Sequence, residues 1–447
     1  MVSLFHSAAP KKSNHRWICI KSTFYKREES IIKKSDVIII GGGAVGLCTA
    51  YYLNQSGFEV TIINEGDSEG KSSCSWGNAG MIVPGHIIPL ASPGVFKKGL
   101  KWLLAPESPF SIEFKPTLNL ISWLWKFRKA ANPNHVKAGA NTLRALGLES
   151  RSLYLELGKK MDFGLENKGI MMLCKQEEIL AEEYEISAMA RALGIEAVDL
   201  DQTDIQSVEI DMKSNALGGV HYPLDCHINP ARFLQLMQKF LVDQGVNIVY
   251  ESLVSGFSVH HGKIKSVLVE DQSWSADYFV LAAGRMSGNL VKSIGLKLPM
   301  MGGKGYSVTI KSPIQKPAIP ALLIDARIAS TPMEDQWRIG GTMTITESNK
   351  NINERKLNAM FKSVQNYYPD FDLAWVKNLE PWVGLRPLSA DGLPYIGPFG
   401  QYPNLIGATG HAMLGISLAP ITGQLVNHII SGNDPGVDMS MLSPDRF

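Results

Sequence analysis

A short apolar strand that runs directly into a glycine-rich turn constrains the fold of this chain more than any other feature. Residues 37–40 are all apolar, as in a strand buried within a parallel sheet. A helical pattern over residues 47–56 and a second strand over residues 59–63 follow the turn. In such a βαβ unit, glycines let the backbone approach a pyrophosphate at the helix N-terminus. The unit predicts a dinucleotide-binding domain, although a tight turn in another α/β fold gives the same local pattern.

The turn and the end of the second strand supply the first candidate cofactor ligands. The turn contributes Gly41, Gly43, Ala44, Val45 and Gly46. The position that ordinarily carries an acidic residue for the ribose hydroxyls holds Asn64 instead, and Glu65 follows it. An amide can still bind a hydroxyl, and Glu65 supplies the carboxylate if the strand ends one residue later. Both residues therefore remain candidates for the ribose contact.

A second glycine motif helps to decide whether the dinucleotide is FAD or NAD. Residues 280–282 form an apolar strand end, and Ala283 and Gly284 follow it after a predicted hairpin. A flavoprotein with a split FAD domain has such a strand-to-glycine turn where that domain resumes. A simple NAD dehydrogenase would continue with helix–strand repeats, whereas this chain inserts a long helical and mixed region. The pattern favours FAD.

A third motif lies near the C-terminus. Residues 382–397 contain three glycines and lead to a second stretch, Ala408-Thr409-Gly410-His411-Ala412-Met413-Leu414-Gly415, which precedes a predicted helix. The glycines permit close approach to a ligand, and the N-terminus of the helix can stabilise the negative charge of a reduced flavin. Its candidate cofactor ligands are Gly410, Met413, Leu414 and Gly415.

Composition and periodicity describe the rest of the chain. Its 447 residues are 45% hydrophobic and 19% charged, with a net charge of +2, as in a globular protein with a large core. No basic stripe or zinc-finger spacing indicates nucleic-acid binding. Further helices are predicted over residues 95–160, 176–194, 230–244, 353–368 and 419–430, and strands over residues 246–283 and 303–345.

Cysteine usage and the N-terminal segment indicate the compartment. The cysteines are scattered and form no CxxC pair, so we expect neither a disulfide framework nor a metal site, and a reducing cytoplasm fits better. They are Cys19, Cys48, Cys74, Cys174 and Cys226. Residues 1–35 are a basic tail without the apolar core of a signal peptide, with an organelle transit peptide as the alternative. No apolar stretch of about 18 residues predicts a transmembrane helix.

Taken together, the three motifs resemble the D-amino-acid oxidase superfamily of FAD-dependent enzymes over residues 36–432. Residues 75–85 and 91–95 are most similar to bacterial D-amino-acid dehydrogenases and the related D-hydroxyproline dehydrogenases. The resemblance implies an α/β fold in which a Rossmann-like FAD-binding domain carries an inserted α+β substrate domain. The FAD domain is expected from residues 36–90, 227–294 and 381–433, and the substrate domain from residues 91–226 and 295–380. Asn78, Ala79 and Gly80 belong to a loop expected to approach the flavin.

The resemblance also implies three substrate-site residues, each with a plainer alternative. Arg386 matches the arginine that holds a substrate carboxylate, although an arginine can pair structurally instead. Tyr306 resembles a pocket tyrosine but would equally suit the packed interior of the second domain. His411 is placed to contact flavin or substrate, or to be a structural histidine. A cluster at residues 221–227 forms either the outer pocket or, as we favour, a helix-entry loop.

The implied activity is oxidative deamination of D-amino acids to 2-oxo acids. A hydride would pass from Cα to non-covalently bound FAD, and the electrons to a quinone or another respiratory-chain acceptor. Three alternatives stay open: a D-proline or 4-hydroxy-D-proline dehydrogenase, a glycine or sarcosine oxidase, and a flavin-binding subunit without turnover. No cysteine lies beyond Cys226 to bind flavin covalently from the C-terminal region.

A peripheral membrane contact is a further expectation from the resemblance. Residues 95–129 interleave tryptophans and leucines with lysines and arginines, which is typical of helices that lie at a membrane interface. An amphipathic helix that packs on the protein core has the same composition and is the favoured alternative. The expected location is the cytoplasm, with peripheral contact to the inner membrane as the alternative.

Overall fold

The computed structural model describes residues 31–93, 108, 110–113, 117–347 and 350–447. Predictions for residues 1–30 and 95–107 fall outside these ranges. The helices are α1 Ala44–Gln55, α2 Leu118–Ala130, α3 Pro133–Gly158, α4 Glu177–Ala192, α5 Gln202–Val208, α6 Pro230–Asp243, α7 Ser287–Lys292, α8 Glu354–Tyr367 and α9 Ala419–Ser431. The strands are β1 Ile31–Ile40, β2 Val60–Ile63, β3 Met81–Ile82, β4 Phe110–Ile112, β5 Ile170–Cys174, β6 Val198–Asp201, β7 Gly218–Tyr222, β8 Cys226–His227, β9 Asn247–Val249, β10 Val254–His260, β11 Lys263–Val269, β12 Gln272–Leu281, β13 Met300–Lys311, β14 Ala321–Leu323, β15 Ile328–Met333, β16 Gln336–Thr346, β17 Trp382–Ser389, β18 Tyr395–Phe399 and β19 Tyr402–Thr409.

The first sheet is built around the predicted βαβ unit. Its strand order is β10-β11-β12-β1-β2-β9, with β19 paired to β12 and β18 to β19. β1 runs parallel to both of its neighbours, β2 and β12. The outer pairs, β2 with β9 and β12 with β19, are parallel as well. Residues 37–40 of β1 are buried, as their apolar run predicted. Five parallel strands therefore end at one edge of this sheet.

Two helices cover this sheet in close contact. α1 follows the glycine-rich turn, and α9 packs against it. Gly423 makes the approach close, because a Cβ there would lie 2.6 Å from the backbone carbonyl carbon of Cys48 on α1. Gly432 ends α9 in the left-handed conformation at a φ of 70°, as the sequence predicted.

The second sheet stands beside the first and contains both parallel and antiparallel strand pairs. Its order is β17-β13-β16-β15-β14-β5-β7-β6, with β4 added to β16. α8 covers one face and packs Met360, Phe361 and Val364 against strand residues such as Val308 and Ile339. β17 lies within the predicted FAD-domain segment 381–433 but pairs with β13 in this second sheet. That pairing carries one end of the C-terminal motif from the first sheet to the second.

Most predicted elements are confirmed, with two corrections. The helices predicted over residues 176–194, 230–244, 353–368 and 419–430 correspond to α4, α6, α8 and α9. β1 begins at Ile31, inside the predicted tail, because residues 31 and 32 already pair with β12. The predicted helical stretch over residues 95–160 contains α2 and α3, but residues 110–112 form β4 and pair with β16.

Candidate active site

A cavity of about 720 Å³ opens at the edge where the parallel strands of the first sheet end. The turns after β1, β2, β12 and β19 line it, and the second sheet supplies the facing wall through β16 and β17. Nucleotides bind at the carboxyl ends of parallel strands because the loops and helix N-termini meet there. Its lining includes Gly41, Gly43, Ala44, Val45, Asn64, Glu65, Asn78, Ala79, Ala283, Gly284, Arg386, His411, Met413, Leu414 and Gly415, all of them predicted from the sequence.

Side chains at Gly41 and Gly46 would collide with backbone atoms that lie beside the glycine-rich turn. Gly41 has a φ of 112°, and a Cβ there would lie 2.5 Å from the carbonyl oxygen of Ala282. A Cβ on Gly46 would overlap the carbonyl oxygen of Gly41. Gly46 therefore brings α1 against β1 rather than lining the cavity itself. The result is a helix N-terminus in the cavity wall, which is where a pyrophosphate binds in such units.

Asn64 ties the two ends of the βαβ unit together. Its Oδ1 accepts a hydrogen bond from the backbone N–H of Gly42 at 3.1 Å, and its Nδ2 donates to the carbonyl oxygen of Gly66 at 3.1 Å. The side chain that replaces the usual acid thus holds the shape of the turn. Glu65 lines the cavity with an exposed side chain. Of the two candidates, only Glu65 offers a carboxylate to ribose hydroxyls.

The loop of residues 72–80 covers the helix N-terminus, and Ser75 is a residue that the sequence prediction missed. Its Oγ accepts from the backbone N–H of Ala44 at 3.0 Å, in the first turn of α1. The same loop turns at Gly80, where φ is 79° and a Cβ would overlap the carbonyl oxygen of Ile228. Gly80 shapes the loop, and its neighbour Ala79 lines the cavity.

A buried guanidinium fastens this loop to the second sheet. The Nη1 of Arg338 donates to the carbonyl oxygens of Trp76 and Asn78, both at 2.8 Å, and its Nε donates to Thr309 Oγ1 at 3.0 Å. Arg338 is only 5% exposed, and burial lowers its pKa to about 10. Nothing in the local sequence indicates this contact, because the partners lie on separate strands and loops.

Arg386 lies in the wall that the second sheet contributes. Its Nη1 donates to the carbonyl oxygen of Thr342 at 3.0 Å, and its guanidinium occupies the space that a side chain on Gly305 would fill. Burial lowers the pKa of the guanidinium, and the nearby Cys74 opposes that shift. Among the described residues, no carboxylate pairs with it. A half-buried cation without a protein anion beside a cavity is equipped to bind an anionic ligand.

Tyr306 requires a correction, because it does not line the cavity. Residues alternate between the two faces of a strand, so Gly305 faces Arg386 and Tyr306 faces the other side of β13. Its hydroxyl accepts from the backbone N–H of Asn353 at 3.0 Å, where α8 begins. The side chain is 1% exposed. The packed alternative is therefore the one that the structure supports.

His411 is held between two residues with left-handed backbone. Gly410 has a φ of 79° and Ala412 one of 50°, and the backbone N–H of Ala412 donates to the carbonyl oxygen of Pro387 at 2.9 Å. Gly410 shapes this turn and does not itself line the cavity. The turn brings His411 beside the strand that carries Arg386.

The hydrogen bonds of His411 define its tautomer. Thr422 Oγ1 donates its proton to the carbonyl oxygen of Leu418 at 2.8 Å, so it accepts from His411 Nε2 at 2.9 Å. Burial lowers the pKa of His411 to about 3. The ring is therefore neutral, with Nδ1 as a hydrogen-bond acceptor.

The cluster at residues 221–227 lies away from the cavity lining. Asn229 caps the N-terminus of α6 by accepting from the backbone N–H of Arg232 at 3.3 Å, and Pro230 begins the helix. Asp225 Oδ1 accepts from the backbone N–H of Gly85 at 2.8 Å. The favoured loop interpretation holds only for residues 223–225, because His221 and Tyr222 end β7 and residues 226–227 form β8. Asp225 also fastens residue 85, next to the cavity-lining His86.

These features fit FAD. The cavity combines a glycine cradle that a Cβ would fill, a helix N-terminus of the kind that binds pyrophosphates, and the carboxylate of Glu65 at the end of β2. Glu65 is the one carboxylate among its described lining residues, whereas the lining cations are more numerous. They are Arg285, Arg327, Lys350 and Arg386. Such a balance suits a cofactor with two phosphates together with an anionic substrate.

Comparison with known proteins agrees with this site. The family model of FAD dependent oxidoreductases, DAO, matches residues 36–429. The chain is 30% identical over 414 residues to a D-amino acid dehydrogenase of Helicobacter pylori, covering 92% of this chain and 98% of the relative. It is 29% identical over 420 residues to a D-amino acid dehydrogenase of Granulibacter bethesdensis, covering 92% of this chain and 99% of the relative.

Solved structures show the same fold. Glycine oxidase from Geobacillus kaustophilus superposes with a TM-score of 0.74 at 21% identity, covering 93% of this chain and all of that chain. L-proline dehydrogenase from P. horikoshii gives a TM-score of 0.68 at 17% identity, covering 93% of this chain and 98% of that chain. These matches confirm the predicted fold class of a Rossmann-like FAD domain with an inserted substrate domain. The chain belongs to the family of FAD dependent oxidoreductases.

Proposed function

We propose that the protein oxidises D-amino acids to 2-oxo acids and ammonia, with non-covalently bound FAD as its cofactor. The observation that carries the proposal is the half-buried guanidinium of Arg386, which faces the cavity without a carboxylate partner among the described residues. An α-amino acid supplies that carboxylate, and the planar guanidinium can bind it through two parallel hydrogen bonds. The carboxylate contact then fixes the orientation of Cα within the cavity.

The described residues favour a mechanism without a protein base. FAD, when bound, supplies the hydride acceptor. Glu65 follows β2 beside the glycine-rich turn, and His411, with its pKa lowered to about 3, takes up no proton at neutral pH. The substrate amine therefore reacts in its neutral form, and its nitrogen lone pair expels the hydride from Cα. The imino acid that results is hydrolysed by water to a 2-oxo acid and ammonia. Nδ1 of His411 can accept from an N–H donor of cofactor or substrate.

Relatives support the choice of D-amino acids. The curated relatives from two bacteria are D-amino acid dehydrogenases, and this chain spans almost their whole length. The structural similarity to glycine oxidase supports a second candidate, oxidation of glycine or sarcosine with release of hydrogen peroxide. D-proline and 4-hydroxy-D-proline remain the nearest alternative substrates, since they share the carboxylate and the amine.

We propose further that the electrons leave through a quinone and that α2 contacts a membrane surface. Leu118, Ile121 and Trp125 are 86%, 53% and 63% exposed and lie on one stripe of α2. Lys126 and Lys129 lie beside this stripe. Trp123, by contrast, is buried and donates to the carbonyl oxygen of Leu388. No helix of the described chain is long and apolar enough to span a bilayer.

Anaerobic mixing of the holoenzyme with single amino acids tests the proposed activity. We expect rapid bleaching of the flavin absorbance by D-amino acids and slow or no bleaching by their L-enantiomers. A soluble quinone analogue should then reoxidise the flavin faster than dissolved oxygen does. Bleaching by glycine or sarcosine alone, with stoichiometric hydrogen peroxide in air, would establish the oxidase instead. A flavin that no amine reduces would leave only a binding role.

A further inference from the structure

Strand β16, which accepts the hydrogen bond from Arg386, carries a β-bulge at the cavity wall. Lys304 on β13 pairs with Thr344 on β16, whereas Tyr306 pairs with Gly341. One residue of β13, Gly305, therefore lies opposite two residues of β16, Thr342 and Met343. Bulges re-aim the backbone and side chains of the strand that contains them, and they are frequent beside active sites.

Thr342 occupies this bulge in an unfavourable conformation. Its φ is 62°, in the left-handed region that β-branched residues rarely adopt. In this conformation its carbonyl oxygen accepts the hydrogen bond from Arg386 Nη1. Glycine would adopt the same backbone without strain, and residues 340 and 341 before it are glycines. Strain of this kind persists where the surrounding structure imposes it, often at functional sites.

The side chain of Thr342 suggests why this position holds a threonine rather than a glycine. The residue lines the cavity and is 6% exposed. Its Oγ1 is buried and has no hydrogen-bond partner in the described part of the chain. A buried hydroxyl without a partner is unfavourable, and native structures rarely keep one without a use. Backbone strain and an unpartnered hydroxyl thus coincide at one residue beside Arg386.

We infer that the hydroxyl of Thr342 donates a hydrogen bond to the substrate carboxylate that Arg386 binds. The inference rests on the proposed function and adds a second residue to its substrate site. A carboxylate has about four lone-pair positions, and an arginine fork occupies two of them. The bulge places Thr342 next to the guanidinium, so its hydroxyl is close to where the remaining positions lie. Thr342 then acts twice, orienting Arg386 through its carbonyl oxygen and the carboxylate through its hydroxyl.

Three substitutions of Thr342 distinguish the effect of its hydroxyl from the effect of its backbone strain. Thr342→Ser keeps the hydroxyl, Thr342→Ala removes it, and Thr342→Gly removes it while relieving the left-handed strain. The probe is propionate, which carries the carboxylate but has no amine to oxidise. Its dissociation constant is measured from the perturbation of the flavin absorbance in the holoenzyme. Flavin content and melting temperature are recorded for each variant.

We expect the alanine and glycine variants to bind propionate about tenfold more weakly than the wild type, with the serine variant close to wild type. Flavin content should be unchanged, and the glycine variant should melt no lower than the wild type. The limiting rate of flavin reduction by a D-amino acid should change much less than its dissociation constant. Wild-type affinity in the alanine and glycine variants, or an equal loss in the serine variant, would overturn the inference.

The failure of this inference can be distinguished from that of the proposed function. If Arg386→Gln abolishes propionate binding and Thr342→Ala does not weaken it, the carboxylate site stands and Thr342 has no part in it. If the wild-type holoenzyme neither binds propionate nor is reduced by any D-amino acid, both proposals fail. Loss of flavin from the alanine variant, with unchanged propionate binding in the molecules that retain it, would assign the hydroxyl to the cofactor and refute the substrate contact.

Discussion

Arg386 Nη1 and the carbonyl oxygen of Thr342 are 3.0 Å apart, although the strands that carry them are not neighbours. β13 lies between β17 and β16 in the second sheet. The hydrogen bond passes over Gly305 of β13, where a side chain would occupy the position of the guanidinium. Three strands therefore define the position of one guanidinium, and its orientation toward the cavity follows from the sheet rather than from a flexible loop.

Substitution of Arg386 should remove substrate affinity before it affects the cofactor. Arg386→Gln loses the charge and the planar fork, so we expect the dissociation constant of a D-amino acid to rise about 100-fold or more. Arg386→Lys keeps the charge without the fork, and its loss should be smaller, about tenfold. Anaerobic reduction at varied substrate concentration measures both. Equal affinity in the glutamine variant would show that the carboxylate binds elsewhere.

Alanine substitutions at two glycines of β13 test whether the position of Arg386 determines substrate binding. Gly305→Ala places a methyl group where the guanidinium lies, so it should displace Arg386 and weaken substrate binding as strongly as Arg386→Lys does. Gly303→Ala meets only the side chain of Leu388, at 3.0 Å or more, and should be tolerated better. Similar effects from both alanines would indicate general damage to the strand rather than displacement of Arg386.

Cofactor affinity should depend on Glu65. Because Asn64 is engaged by Gly42 and Gly66, we assign the ribose hydroxyls to the Glu65 carboxylate. Hydrogen bonds to a charged group contribute about 1.5–3 kcal/mol, so Glu65→Ala should raise the dissociation constant of FAD at least about tenfold. Glu69→Ala is the control, since Glu69 is exposed and pairs with Lys71. Reconstitution of the apoprotein followed by flavin fluorescence gives both constants.

The flavin should be released intact when the protein is denatured. Cys74 lines the cavity, so a cysteine is within the site even though none lies beyond Cys226. Its Sγ donates to the carbonyl oxygen of Leu385 at 3.0 Å, and burial raises the pKa of the thiol. A protonated thiol is a poor nucleophile, and we therefore expect no covalent bond. Acid precipitation should leave all of the flavin in the supernatant, and a yellow pellet would contradict this expectation.

Membrane binding should depend on the exposed stripe of α2. The double substitution Ile121→Ser and Trp125→Ser removes two apolar side chains from that stripe and should weaken binding to vesicles of anionic phospholipid at least about tenfold. The control is Ile210→Ser with Ile314→Ser, two exposed isoleucines outside α2. Co-sedimentation at two salt concentrations tests it. Unchanged sedimentation of the α2 variant would assign any membrane contact to another surface.

The local patterns in the sequence were sufficient for most of the fold and for the cofactor end of the site. A buried parallel strand, a glycine turn and a helix are contiguous, so the ligands around Gly41 and Gly284 can be located from short segments. Residues whose role depends on the register between strands are not accessible in this way. Arg338 and Thr342 act on partners far away in the sequence, and neither type of residue has a distinctive local signature.

The error at Tyr306 has the same origin. Adjacent residues of a strand point to opposite faces, so Gly305 and Tyr306 cannot both face the cavity. Tyr306 was a candidate because residues 303–307 resemble a family motif, and that resemblance does not indicate which face of the strand a side chain occupies. In the structure Tyr306 is packed in the interior, and the space beside Gly305 is occupied by the Arg386 guanidinium from the neighbouring strand.

The pH dependence of stability should identify Asp225 as a group that is buried at an energetic cost. Asp225 is fully buried, its Oδ1 accepts from the backbone N–H of Gly85, and its Oδ2 has no partner in the described chain. Burial raises the pKa of this carboxyl to about 8, from an ordinary value of 3.8. The folded state thus binds more protons than the unfolded state between these two pH values. The free energy of unfolding must therefore fall as pH rises through this window, by up to about 1.4 kcal/mol per pH unit.

Asp225→Asn separates this titration from the hydrogen bond. The amide oxygen can still accept from Gly85, but the side chain no longer ionises. We expect the variant to match the wild type near pH 4 and to become progressively more stable than it as pH approaches 8, as measured by urea unfolding of the holoenzyme. Asp243→Asn on the surface should show no such divergence. A difference that is constant with pH would mean that Asp225 is ionised in the folded protein throughout, with its charge stabilised by a neighbour such as Arg151.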